Sequence, residues 1–289
     1  MTKWGRGVLS LASLAMVSLP AVVFASGTGI PAVTNAPRLA AKPGSNGHGH
    51  GGGGGGGGST TSFGWASSNW SGYALTSPPS GGYTSITGSW VVPPVSPSKG
   101  STYSSTWIGI DGFNNSNLIQ TGTEQDYASG GAQYYAWWEI LPAAETVISN
   151  FTVKPGDVMT ASIEKNSSGT WTITLKDNTS GATFTSLPLS YSGPGQSAEW
   201  IEEAPSIAGH VTTLANYGET SFDPTTPNST SEYTPYDLTV NGSSSSLVPS
   251  DGGVMIQKHT QVSTPSLPDS SKDGFNIQYG STVPAAPTT

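Results

Sequence analysis

Met159-Thr160-Ala161-Ser162-Ile163-Glu164-Lys165-Asn166-Ser167-Ser168-Gly169-Thr170-Trp171-Thr172-Ile173-Thr174-Leu175 carries two runs of alternating side chains about a turn. Met159, Ala161 and Ile163 alternate with polar residues, and Trp171, Ile173 and Leu175 do so again after the Asn166–Gly169 turn signal. A period of two puts alternate side chains on opposite faces of a strand, so the segment predicts a β-hairpin with one buried face. Asn178-Thr179-Ser180-Gly181 supplies a second turn directly after it. Working outward, the same alternation predicts strands at Thr84–Val92, Ser104–Gly109, Gln133–Ile140, Ala198–Glu202 and Gly253–Gln261. Pro93-Pro94 and Pro155-Gly156 punctuate the intervals, and only a turn near Ile207 hints at helix. The fold class is all-β, read as a two-sheet antiparallel β-sandwich.

Composition agrees. The 289 residues include 38 Gly and 22 Pro, which breaks up long helices, and only 10% are charged. Cysteine is absent, so disulfides, thiolate metal sites and thiol nucleophiles are excluded. All 18 Asp and Glu follow residue 59, where Lys99, Lys154, Lys165, Lys176, Lys258 and Lys272 are the matching Lys and Arg, for a balance of −12. Such a surface repels phosphate backbones and anionic lipid, which argues against nucleic-acid and membrane partners.

The N-terminus reads as an export signal. Lys3 and Arg6 precede an apolar run from Val8 to Phe24, and Val23-Phe24-Ala25 offers small residues for cleavage after Ala25. Ser10, Ser13, Ser18 and Pro20 make that run a poor membrane anchor. Residues 26–60 end in His48-Gly49-His50 and eight glycines, a flexible pro-segment or linker. The domain is expected over 61–281, with a tail at 282–289.

Parity on the strands sorts the chemistry. Tyr135, Trp137 and Glu139 share one face, while Tyr134, Ala136, Trp138 and Ile140 share the other, the better core face. Glu199 and Ile201 lie opposite Ala198, Trp200 and Glu202. Each strand thus sets a carboxylate among apolar neighbours, where desolvation raises a carboxyl pKa. No G-x-S-x-G elbow occurs, and only His210 and His259 remain outside the Gly-His tract as bases. A pepsin-like dyad is excluded because Gln120-Thr121-Gly122 carries an amide where that mechanism needs a carboxylate. A sugar cleft of tryptophans and paired carboxyls stays open as an acid glycosidase or a non-catalytic carbohydrate-binding sandwich.

Asn69-Trp70-Ser71-Gly72-Tyr73, Trp107-Ile108-Gly109-Ile110-Asp111-Gly112, Leu118-Ile119-Gln120-Thr121-Gly122, Trp137-Trp138-Glu139 and Ala198-Glu199-Trp200-Ile201 stand in this order. Together they make the chain resemble the glutamic peptidases, the eqolisin family. The resemblance implies two sheets of about seven strands each, secretion, and activity on protein or peptide substrates at acid pH, with no metal or cofactor. A monomer is expected. It also implies that Gln120 and Glu199 form the catalytic pair, and that Trp70, Trp107, Asp111, Trp137 and Glu139 bind substrate. In chemical terms Glu199 would take a proton from water and return it to the leaving nitrogen, while the Gln120 amide holds the oxyanion. A histidine base would be protonated in acid, which suits a site built without one.

Overall fold

The computed structural model of the protein describes residues 63–224 and 236–288. The expected signal segment and pro-segment lie outside the described residues. The chain is all-β. Its strands are β1 (Trp65–Ser67), β2 (Trp70–Leu75), β3 (Ser85–Val91), β4 (Ser105–Ile110), β5 (Ile119–Ala128), β6 (Gly131–Ile140) and β7 (Thr146–Val147). There follow β8 (Val158–Lys165), β9 (Trp171–Asp177), β10 (Thr183–Thr185), β11 (Ala198–Glu203), β12 (Ser206–Ile207) and β13 (His210–Val211). The last six are β14 (Glu219–Phe222), β15 (Thr239–Val240), β16 (Ser243–Ser244), β17 (Gly252–Gln257), β18 (Thr260–Pro265) and β19 (Phe275–Tyr279).

The hairpin predicted over Met159–Leu175 forms β8 and β9, with Ile163 opposite Ile173 and Ala161 opposite Leu175. Its apolar set is buried on one face, as the alternation requires. Gly169 closes the turn at φ 84°, a backbone conformation that only glycine adopts without steric cost. At the next turn the Asp177 carboxylate accepts from the backbone N–H groups of Thr179 and Ser180, at 2.8 and 3.2 Å. That local bond explains why the strand stops there.

Where two separate sheets of about seven strands were expected, backbone hydrogen bonds join 17 strands into one network, with β12 and β13 forming a separate small hairpin. Pairing is antiparallel except for β1 beside β17. β18 carries the continuity, because it pairs with β17 on one side and β19 on the other. The expected strand Gly253–Gln261 is also two: Lys258 and His259 both take positive φ, 49° and 65°, and turn β17 into β18. A two-residue turn of this handedness matches the twist of the flanking strands, but neither residue type announces it. The turn near Ile207 is a hairpin rather than a helix, made by Ala208 and Gly209, at φ 51° and 79°.

The central strand is β11, flanked by β2 and β4; β5 and β6 follow outward. Its two faces feed two clusters. Trp200 and Ala198 join Ile108, Ile110 and Ile119 and, from β3, β8 and β9, Ile86, Trp90, Met159 and Ile173 in the main core. Ile201 joins Trp70, Trp107, Leu118 and Trp137 in a smaller, aromatic cluster. The smaller one depends on close backbone approach. Any β-carbon at Gly122 would overlap the Trp107 Cβ and the Thr106 carbonyl, and one at Gly253 would overlap the Trp65 ring. Each tryptophan lies across from its glycine on the paired strand.

Candidate active site

The antiparallel register carries one row of side chains across four strands on the aromatic face. Glu199 on β11 lies opposite Gly109 on β4, Gly109 opposite Gln120 on β5, and Gln120 opposite Glu139 on β6. Directly opposed residues point to the same face, so Gln120 and Glu139 are neighbours by construction. The Gln120 Nε2–H donates to Glu139 Oε2 at 2.6 Å. The remaining oxygens, Gln120 Oε1 and Glu139 Oε1, are buried and accept nothing.

Glu203 comes from the end of β11. Strand parity puts it on the face of Glu199 and Ile201, and the register sets it opposite Ser105, beside Trp107's face of β4. Both oxygens are held: the Trp107 indole N–H donates to Oε2 at 2.9 Å and the Asn69 amide to Oε1 at 3.2 Å. Asn69 is itself fixed by the Ser67 hydroxyl, which donates to its Oδ1 at 3.0 Å.

Gln120, Glu139 and Glu203 line one cavity, with Trp137 as an apolar wall and Glu124, Glu145 and Pro205 around them. About 10 Å³ of it is open to the centre of a water-sized sphere, which is space for about one water molecule. Burial pushes the Glu139 carboxyl up to about 8; the Gln120 hydrogen bond works against this, and the nearby Glu203 and Glu145 charges add to it. An amide, a protonated carboxyl and an oriented carboxyl around one water-sized space are the parts needed for acid–base attack on a carbonyl.

The sequence profile of the Peptidase A4 family matches residues 68–266, a span that contains every one of these groups. The chain belongs to the Peptidase A4 family. Aspergillopepsin-2 of Aspergillus niger is 30% identical to it over 182 residues, 54% of this chain and 62% of that protein. The chain thus matches about three fifths of that relative's length. Scytalido-glutamic peptidase, solved with a transition state analog inhibitor, shares the fold at a TM-score of 0.59 and 22% identity, over 73% of this chain and 98% of that one. Aspergilloglutamic peptidase from Aspergillus niger gives 0.50 at 26% identity, over 62% and 99%.

In this Peptidase A4 member the sequence-predicted site residues divide into two places. Gln120, Trp137 and Glu139 line the cavity; Trp107 stands behind it, bonded to Glu203, and Trp70 packs edge-to-face on Trp107 at 5.0 Å and 77°. Glu199 and Asp111 are not among the lining residues. Glu199 is fully buried, and neither of its oxygens has a hydrogen bond of ordinary geometry. Burial holds its carboxyl well above the ordinary range, the nearby Ser197 hydroxyl partly opposes this, and the Asp111 charge adds to it. Asp111 is a backbone hub. Its Oδ2 accepts from the Tyr191 hydroxyl at 2.7 Å and the Gly195 N–H at 2.9 Å, its Oδ1 from the Gln196 N–H at 2.8 Å and the Asn115 amide at 2.9 Å.

Glu203, the residue that sequence reading missed, had a signal. β11 runs one residue further than expected, and Pro205 is the first residue that must end it. Extending the alternation 199, 201, 203 by one step would have found it. Asp223, Asp269 and Asp273 are the group of acidic side chains close enough to share a cation among the described residues, within 4.8 Å of one another, and none of them lines the cavity.

Proposed function

We propose that the chain is a glutamic endopeptidase acting on protein substrates in acid, with Gln120 and Glu203 as its catalytic pair. The observation that carries the reading is the convergence of Gln120, Glu139 and Glu203 on one water-sized cavity. The role first given to Glu199 passes to Glu203, four residues along the same face. Glu203, oriented by Trp107 and Asn69, takes a proton from the attacking water, and the Gln120 amide steadies the oxyanion that forms on the scissile carbonyl. Gln120 is neutral at any pH, so its part of the work is insensitive to acid.

Buried tryptophans weaken the carbohydrate-binding reading: Trp70, Trp90, Trp107, Trp137, Trp171 and Trp200 offer no exposed ring for a sugar to stack on. We also read the single strand network as two facing halves, the sandwich implied by the resemblance. Support comes from the Trp200 indole N–H donating to the Thr87 carbonyl at 2.8 Å and the Trp90 indole N–H donating to Thr123 Oγ1 at 3.0 Å, from one half to the other. Export and acid surroundings belong to the same proposal. Among the described residues no helix is long and apolar enough to cross a membrane.

The test is digestion of a denatured protein at about pH 3 by the wild type, Gln120→Ala and Glu203→Gln. Peptide products from the wild type alone are expected; products from all three, or from none, would overturn the reading.

A further inference from the structure

The aromatic face that holds the cavity continues past it. One row of directly opposed residues leads from Trp137, in the cavity wall on β6, by way of β5, β4, β11 and β2 to Gly253 on β17. Trp65 on β1 stands opposite Gly253, so its side chain belongs to the same surface. Its place is fixed. The ring lies against Gly253, where the missing side chain leaves room for it, and the indole N–H donates to the Asp251 carbonyl at 2.7 Å. Phe113 meets this ring edge-to-face, with centroids 5.4 Å apart and planes at 78°. It comes from the loop after β4, where Gly112 takes φ 98° beside the Trp70 ring and the Asn115 amide donates to Asp111 Oδ1 at 2.9 Å. Two rings from distant parts of the chain are thus set side by side on the Trp70–Trp107 cluster, yet each is only half-buried. Apolar surface held in one geometry and left partly in water is what a groove offers a ligand.

We propose that Trp65 and Phe113 form a subsite for one large apolar side chain of the peptide substrate, set a few residues away from the cleaved bond. The inference rests on the preceding reading of Gln120 and Glu203. Neighbouring strands lie about 4.8 Å apart, so the Trp65 ring, over β17, is about 10 Å across the strands from β11. An extended peptide advances about 3.3 Å per residue, which puts the side chain about three residues from a bond held at Glu203. A substrate that reaches both places must cross the strands rather than run along them. A side chain seated between the two rings leaves water and gains aromatic contact, and neither ring has to move to receive it. Trp65 precedes residues 68–266, the span that the Peptidase A4 profile matches, so half of this wall lies outside what the family has in common.

Peptides of one sequence, with Phe or Ala placed in turn at each position on either side of the cleaved bond, test the subsite. At one position about three or four residues from the bond, the wild type should favour Phe over Ala in kcat/KM by about tenfold or more. Phe113→Ala should bring that ratio below about threefold while leaving kcat/KM on the Ala peptide within about threefold of the wild type. Trp65→Leu keeps apolar bulk against Gly253 and removes the flat ring; it should lower the ratio likewise, and it decides if Phe113→Ala folds poorly. A ratio unchanged in the variants, or a wild-type preference confined to the residues adjoining the bond, would overturn the subsite. Failure of the catalytic reading looks different. If the wild type cleaves none of the peptides, that reading is wrong, and calorimetry with the same peptides still reads the subsite: the Phe peptide should bind about tenfold tighter than the Ala peptide, and Phe113→Ala should erase the difference. Equal binding to the wild type would overturn it.

Discussion

Asp111 and Glu139 are both carboxyls shut away from solvent, 0% and 2% exposed, one just past the end of β4 and the other near the end of β6. Their surroundings differ in kind. Four donors fill the Asp111 oxygens, two from backbone N–H groups, so the group is saturated and stitches the 195–196 loop to β4. One donor reaches Glu139, which lines the cavity, and its other oxygen is buried without a partner. A satisfied buried carboxyl is architecture. An unsatisfied one costs stability, and a fold keeps that cost where chemistry uses it.

The largest effects should fall on the unsaturated side of this contrast. Gln120→Ala and Glu203→Gln should each lower kcat by ~10² to 10³ or more, since each removes a group that acts on the water or the oxyanion. Glu199→Gln, which touches neither, should stay within about tenfold of the wild type. Steady-state kinetics on a single peptide, with melting temperatures to show that the variants fold, make the comparison; a dead Glu199→Gln beside an active Glu203→Gln would reverse it.

On the saturated side the effect is on stability. Asp111→Ala leaves the Tyr191, Gly195, Gln196 and Asn115 donors without their acceptor, and urea unfolding should show a loss of ~3–5 kcal/mol. A loss below ~1 kcal/mol would mean that water replaces the carboxylate easily and that the hub is not structural.

Acidity gives a third handle. The Glu139 carboxyl sits at about 8 in the folded chain against 4.5 unperturbed, and burial likewise raises Glu199 and Glu202 well above the ordinary range. Between the unfolded and folded values the native state binds more protons than the unfolded chain, so stability falls as pH rises across that window and is fully retained below it. Each such carboxyl contributes a slope of at most ~1.4 kcal/mol per pH unit. Thermal melts from pH 3 to about 8 should therefore show a falling melting temperature, with Glu139→Gln and Glu199→Gln each flattening the fall. A melting temperature that climbs toward neutrality would contradict the burial argument.

The smallest effect tests how the hub is shared. Tyr191→Phe removes one of the four Asp111 donors and should cost ~1 kcal/mol in urea unfolding with peptide hydrolysis unchanged. A loss of activity here would join the hub to the cavity.

Local pattern carried the strands and their faces. The β8–β9 hairpin follows from alternation alone, and the split of β6 into a Trp137–Glu139 face and a Trp138–Ile140 face appears in the two clusters as read. Register was not legible. Asp111 entered only as a substrate contact implied by the resemblance, and its role as a hub could not be read because its partners Tyr191, Gly195 and Gln196 lie 80 to 85 residues away in sequence. The Lys258–His259 turn was invisible because Lys-His is not one of the Asn-Gly, Asp-Gly or Gly-Gly pairs that signal a two-residue hairpin. Glu203 escaped through one residue of strand length, the boundary that hydrogen bonding fixes and composition does not.

Trp107 over Gly122 and Trp65 over Gly253 are pairs in which neither member has freedom of its own. A side chain gained at either glycine collides with the ring or its stem, and a smaller residue at Trp107 opens a hole in the wall behind the cavity. Across relatives Trp65 and Gly253 should drift as a couple, because a slimmer residue at 65 frees the space that a β-carbon at 253 needs, whereas Gly122 should stay glycine whatever stands at 107, because the Thr106 carbonyl and the Cβ of residue 107 fill that space. Counting exchanges at these four positions in diverged sequences would separate a glycine held by a ring, which can be released, from one held by backbone, which cannot.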